Sequence, residues 1–246
     1  MKRILLILGV IVSMTAAQIV LGQTAEGVIE YEVKANLHRT LPKDRPEMKN
    51  MVPEFRTSKQ QLFFNPAESL YKPVEEDEDT DIESEGGGMR MRFQAPQVEI
   101  YFNHETTKRV TQQEFMGKTY LIDDTLKLSP WKFGTETKVI MGYECRQASY
   151  YNEERKQDVV AWYTMQLRAF LGPDNFNTLP GAVLQVDIND GERTMTAKNL
   201  DARALKKNEL KIPTQGIKTT RTEFRKMADQ QMEKMRANGA NVIIRN

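Results

Sequence analysis

The 246-residue chain sets 35 lysines and arginines against 34 aspartates and glutamates, with 39% hydrophobic residues. So even a balance gives no electrostatic reason to bind nucleic acid and little long-range pull toward an anionic membrane. A single cysteine, Cys145, excludes an internal disulfide, and two histidines, His38 and His104, exclude most metal-hydrolase and histidine-dependent triad designs.

The chain opens on MKRILLILGVIVSMTAAQIVLGQ, where Lys2 and Arg3 precede an apolar run from Ile4 to Val12. That run is too short to span a membrane, and Ser13, Thr15 and Gln18 interrupt its continuation. The pattern predicts a signal peptide over residues 1–22, cleaved after Ala17 or Gly22. No cysteine follows it, so a lipid anchor is not expected. The expectation is a soluble periplasmic or secreted protein with no transmembrane span in its mature part. Without Lys2 and Arg3 the basic count falls to 33 against 34 acids, a net charge near −1. Residues 23–246 are expected to form one β-rich domain.

GVIEYEVKANLH alternates Val28, Glu30 and Glu32 with Ile29, Tyr31 and Val33, which predicts a strand. RTLPKDRPEMKNMVPEF is a proline-rich loop. TSKQQLFFNPAESLYKPV reads as a strand pair turning at Asn65-Pro66. Residues 75–88, EEDEDTDIESEGGG, crowd mutually repelling carboxylates beside three glycines and predict a flexible solvated loop. Asp77, Asp79 and Asp81 alternate as in a calcium loop. Against that, Ile82 and Gly88 occupy the places of the required Gly and bidentate Glu.

From Val98 the pattern turns regular: VEIYF, KRVTQQEF and TYLIDDTL form a meander with turns at 103–105 and 116–118. CRQASYY and DVVAWYT are two more strands, joined at 152–155. RAFLGPDNFNTLPG is a loop, AVLQVDI a strand, Asn189-Asp190-Gly191 a turn, and RTMTAKNLDARAL another strand. In AVLQVDI, strict alternation would set Val183, Gln185 and Asp187 opposite Ala182, Leu184, Val186 and Ile188. Close turns without intervening helices predict a strongly curved antiparallel sheet. TRTEFRKMADQQMEKMRAN then spaces Phe224, Met227, Met232 and Met235 as an amphipathic helix does. It starts near Thr222 as N-cap and runs over about 221–238. VIIR follows as an apolar scrap, readable as an edge strand.

Three segments, in order, resemble the GLPGLI family of secreted bacterial envelope proteins: MGYECRQA, with Gly142, Tyr143 and Cys145; AWYT; and LGPDNFNTLPGAVLQV, with Gly172, Pro173, Leu179, Pro180 and Gly181. The likeness covers roughly Val98 to Arg225. Thr178 replaces the first Gly of the signature, and Ala182 and Val183 replace its Leu and Ile. No chemical group is lost by those changes, so the motif reads as architectural. The resemblance implies an envelope location and a β-rich fold, and it carries no assigned catalytic residue. At fold level the expected half-barrel with a helix is also similar to lipoprotein carriers.

The remaining residues offer little catalysis. Cys145 on a strand reads as a buried thiol rather than a reactive one. His38 and His104 have no partner at ligand spacing and read as solvated loop and turn residues. The adjacent Asp123 and Asp124 face opposite ways on a strand, and Asp187 with Asp190 has no acid–base spacing. No nucleotide loop, nucleophile elbow or zinc motif is present. The reading is therefore a non-enzymatic binding protein without metal or cofactor. Its expected target is an outer-membrane or periplasmic protein partner, or a lipid-like apolar ligand in the concave face, with Trp162, Tyr163, Phe176, Met227, Met232 and Met235 as candidate contacts. The alternatives are a carboxylate-based hydrolase and a Cu(I)-handling protein using Met48, Met51, Met89 and Met91, whose thioethers suit that ion.

Overall fold

The structure is a computed structural model, and it describes residues 26–41, 46–50, 52–74 and 97–237. The signal segment, the acidic stretch 75–88, the VIIR tail and Met51, Met89 and Met91 lie outside the described residues.

The first meander comprises β1 (Gly27–Asn36), β2 (Phe55–Phe64), β3 (Glu68–Pro73), β4 (Val98–Asn103), β5 (Lys108–Phe115) and β6 (Lys118–Thr125). The second comprises β7 (Lys132–Ile140), β8 (Tyr143–Asn152), β9 (Gln157–Thr164), β10 (Ala182–Ile188) and β11 (Arg193–Asp201). Antiparallel pairing of β1 with β11 fuses them, and β12 (Ile217–Thr220) joins β6 in parallel. The result is one curved, unclosed sheet of 12 described strands, followed by a single C-terminal helix, α1 (Arg221–Ala237).

Chain connectivity forces the curvature. β6 and β7 stand ten strand positions apart, which in a flat sheet is about 48 Å. Residues 126–131 alone connect them, and seven extended steps reach only about 25 Å. The sheet must roll until its ends approach. Arg225 of α1 then meets Glu154 of the β8–β9 turn at 2.6 Å, across the mouth of the roll.

Register defines the inner face. Ile29, Leu62, Tyr71, Ile100, Thr111 and Ile122 lie side by side across β1 to β6. Val33, Met195, Val186, Ala161 and Ala148 continue that face from β1 to β8. The loop between β9 and β10, residues 165–181, folds back over it. Leu171, Leu167 and Leu179 are buried there, with Phe176 beside Val33, Tyr163 and Val186.

The turn at Leu179-Pro180-Gly181 explains how. A Cβ at Gly181 would lie 2.1 Å from the Thr164 carbonyl oxygen, so this position needs glycine for close backbone approach. Gly172 is similar: its Cβ would meet the Phe176 carbonyl oxygen at 2.1 Å. Thr178 accepts a hydrogen bond from Trp131 Nε1 at 2.8 Å. The linker between β6 and β7 is thereby tied to the loop.

Three local expectations need correction. β10 carries a bulge between Val183 and Gln185, so Val183 and Leu184 are both fully buried, in different clusters, and strict alternation fails. β11 ends at Asp201, short of the strand expected through Leu205. The N-cap of α1 is Thr220, not Thr222: Thr220 Oγ1 accepts from Glu223 N at 3.2 Å while Glu223 accepts from Thr220 N at 3.1 Å, a capping box.

Residues 202–216 strap the outer face. Val28, Phe63, Leu70, Tyr101 and Val110 form a buried row there, covered by Leu205 and Leu210. Arg203 pins the strap through two bonds of 2.7 Å to Glu209 and one of 2.8 Å to Asp201. The chain then turns the sheet edge as β12 and enters the inner face as α1, whose Phe224 packs on Phe115, Tyr120 and Ile122.

Gly181→Ala should lower unfolding stability by about 3 kcal/mol or more, or abolish soluble expression, because the obstructing atoms are backbone; urea titration followed by tryptophan fluorescence measures it. The Arg203 hydrogen bonds hold the Glu209 carboxyl down to about 2. Its folded value lies below the ordinary one of 4.5, so its stabilisation is complete above that value and is lost as pH falls toward 2. Glu209→Gln should therefore reduce amide-exchange protection of residues 203–212 at neutral pH, and the difference from the unmodified protein should vanish near pH 2.

Candidate functional site

One part of the inner face is polar. In β5, Arg109, Thr111, Gln113 and Phe115 share a side, so alternation points Arg109 inward between Phe102 of β4 and Asp124 of β6. The β9–β10 loop brings Asp174 and Asn177 to this place, α1 begins there with Arg221, and β11 begins with Arg193.

The contacts are specific. Arg109 Nη2 donates to Asn177 Oδ1 at 3.1 Å, and its guanidinium lies 5.8 Å from the Phe102 ring centroid. Arg221 Nη2 donates to Thr111 Oγ1 at 3.0 Å and its Nε lies 3.5 Å from Asp124 Oδ2. Arg193 Nη1 lies 3.5 Å from Asp174 Oδ2. Three guanidinium groups therefore face two carboxylates. Arg109 is the one deepest in the sheet, 7% exposed, and it forms no ion pair within 4 Å among the described residues. Among the described residues its Nε has no hydrogen-bond acceptor, and the Tyr71 hydroxyl has no partner either.

Electrostatics follow burial. Desolvation lowers the Arg109 pKa and the nearby Arg221 lowers it further, opposed by Asp124 and Asp174. Desolvation lowers that of Arg221 as well, against Asp124 and Asp174. Burial pushes the Tyr71 phenol up strongly; Asp174 raises it further and Arg193 opposes. Asp174 is common to all three. It is held at φ +53°, uncommon for a residue with a side chain, by the turn that Phe176 N closes on the Pro173 carbonyl at 3.0 Å. Five elements thus fix a largely buried charged cleft whose groups can hold a charged or strongly polar partner.

The residues singled out from sequence do not gather there. Tyr163 and Phe176 are buried among Val159, Leu179 and Val183. Trp162 is half-buried, with the Lys138 ammonium 4.0 Å from its ring centroid. Met227 packs beside Phe224, and Met232 is half-buried further along α1; the Met235 side chain lies outside the described residues. Of the motif residues, Gly142 and Tyr143 turn β7 into β8. Gly172, Pro173, Leu179, Pro180 and Gly181 shape the inner loop.

Cys145 is fully buried, and burial pushes its thiol up to about 11. His104 is not the solvated turn residue expected: Nδ1 lies 2.8 Å from the Ala67 carbonyl oxygen and the ring stacks on Phe170, centroids 6.1 Å apart. His38 Nε2 lies 3.0 Å from the Val52 carbonyl oxygen. Among the described residues, no three His, Cys, Asp or Glu side chains gather as a metal site. Of the cleft, only Asp124 draws notice in the sequence. The available signal was Arg109, a charge at an inward position of an otherwise regular strand.

No family model matches the chain, and no curated protein does. Among solved structures, the fold is similar to PNGF-II in its P21 and C2 crystal forms, with TM-scores of 0.56 and 0.55 at 15% identity. These alignments cover 84% and 83% of this chain but only 34% and 33% of PNGF-II, so the chain spans about one third of that protein's length. At this identity the likeness is one of fold.

Cys145 should not react with a thiol-specific disulfide reagent at pH 8 in the folded protein and should react fully in denaturant; absorbance of the released thiolate reads both.

Proposed function

We propose that this chain is a non-enzymatic binding protein of the bacterial cell envelope, a GLPGLI-type protein exported by its N-terminal segment. The observation that carries the binding role is the charged cleft. Arginines from β5, β11 and α1, with aspartates from β6 and the β9–β10 loop, are held by ion pairs and hydrogen bonds in one place. Such fixed groups recognise a complementary partner without paying again for side-chain ordering.

The same geometry favours a polar target over a lipid-like one. Leu167, Leu171, Phe176 and Leu179 of the chain itself cover the apolar part of the concave face. A carboxylate hydrolase is favoured less, since Asp124 and Asp174 each meet an arginine at 3.5 Å rather than each other. Recurrence of the fold within a longer protein supports reading it as a module.

Arg193 lies at the rim, its side chain 31% exposed. A tagged Arg193→Glu protein, recovered from native envelopes beside the unmodified one, should lose a companion protein that the unmodified protein retains, by at least about tenfold in quantitative mass spectrometry. Equal recovery by two equally folded proteins would overturn the cleft as the contact.

A further inference from the structure

We propose that the inner face of β7 and β8 is a docking surface for a second copy of this chain, set two-fold so that Arg146 of each copy meets the partner's Glu144. The face lies on strands that contribute nothing to the charged cleft, so the inference stands apart from that site.

Register places the residues. Thr137 pairs with Arg146 and Arg146 with Tyr163, while Val139 pairs with Glu144 and Phe133 with Ala148. Cross-strand partners share a face, so Phe133, Thr137, Val139, Glu144 and Arg146 stand on the inner side with Tyr163 and Ala148. Those last two are buried in the cluster that holds Phe176 and Leu179 of the β9–β10 loop. The cover stops there. Phe133 is 63% exposed and Val139 70%, and Thr137, Glu144 and Arg146 are exposed as well. Among the described residues, neither Glu144 nor Arg146 forms an ion pair within 4 Å.

Three features select the occupant. First, two exposed apolar side chains accompany two opposite charges, which stand about 7 Å apart as same-side neighbours on β8. A two-fold axis running across the strands between those charges sets each Arg146 on the partner's Glu144. The contact is then made twice, the isologous arrangement of a homodimer. A lipid-like ligand would leave both charges unpaired, and a strongly charged partner would meet one repulsive residue. Second, the whole chain carries 35 basic against 34 acidic residues, so two copies do not repel at long range. Third, the irregular pairing between Phe133 and Thr137 spoils the ladder that an added strand would need, which leaves stacking on the face as the mode of contact.

Sedimentation velocity across a concentration series of the purified chain tests it. The unmodified protein should pass from monomer to dimer. Glu144→Arg and Arg146→Glu each set like charges opposite one another twice, and each should weaken dimerisation at least about tenfold. Their Tm should match that of the unmodified protein, because both positions are exposed. Mixed in equal amounts, the two variants should dimerise with each other, since every charge at these positions then faces an opposite one.

A chain that stays monomeric throughout leaves the face to a different protein and overturns the proposal. Single variants that dimerise like the unmodified chain, or a mixture no more associated than its components, would overturn it too.

Discussion

The close approach of Gly181 to the Thr164 carbonyl is the constraint on which the rest of the molecule depends. It lets the β9–β10 loop leave one strand, cross the concave face and re-enter the next strand, whose pairing shifts register only at the bulge after Val183. Leu167, Leu171 and Leu179 then supply the apolar volume that a curved sheet lacks on its inner side. A sheet of this width with one uncovered inner face would leave a large apolar patch in water. The loop removes that patch and, by the same path, delivers Asp174 and Asn177 to the arginines of β5 and β11.

The other half of the sheet is stabilised from both sides by the chain's last segment. Leu205 and Leu210 close the outer row, β12 covers the β6 edge, and Phe224 closes the inner row. An edge strand covered in this way does not offer itself for further pairing. At the opposite end of the described sheet β7 has no further described strand beside it and carries largely exposed residues, including Lys132 and Glu136, with Gly134 in its irregular stretch. Charge and irregularity there serve the same end by another route. Between the two covered regions lies the cleft, where helix start, loop and strands converge.

Legibility from sequence varied with burial. Strands with an apolar inner face, such as Val98–Asn103 and Gln157–Thr164, announced themselves by alternation. β7 did not: KFGTETKVI is exposed along most of its length, and a strand paired on one side needs no apolar face. β12 is four residues long, IKTT, and exists because β6 offers it an edge. The strap was absorbed into β11 because Leu205 continues an apolar rhythm, although its partners lie on β1 to β5. The cleft was hardly visible at all. Its arginines and aspartates stand at positions 109, 124, 174, 193 and 221, and nothing local relates them.

What the sequence by itself determined was therefore the local part: strand-forming alternation, turn glycines, a capped amphipathic helix, a lone cysteine too apolar in setting to react, and a Leu-Pro-Gly corner with a structural use. Those follow from backbone sterics and from neighbours a few residues away. The tertiary structure decided which aromatic residues are core, where the bulge in β10 turns Val183 and Leu184 both inward, and which charges meet. That part could not be local, because the roll of the sheet is set by a six-residue connection between strands ten positions apart. Only the rolled sheet brings the starts of α1, β11 and β5 within reach of one loop aspartate.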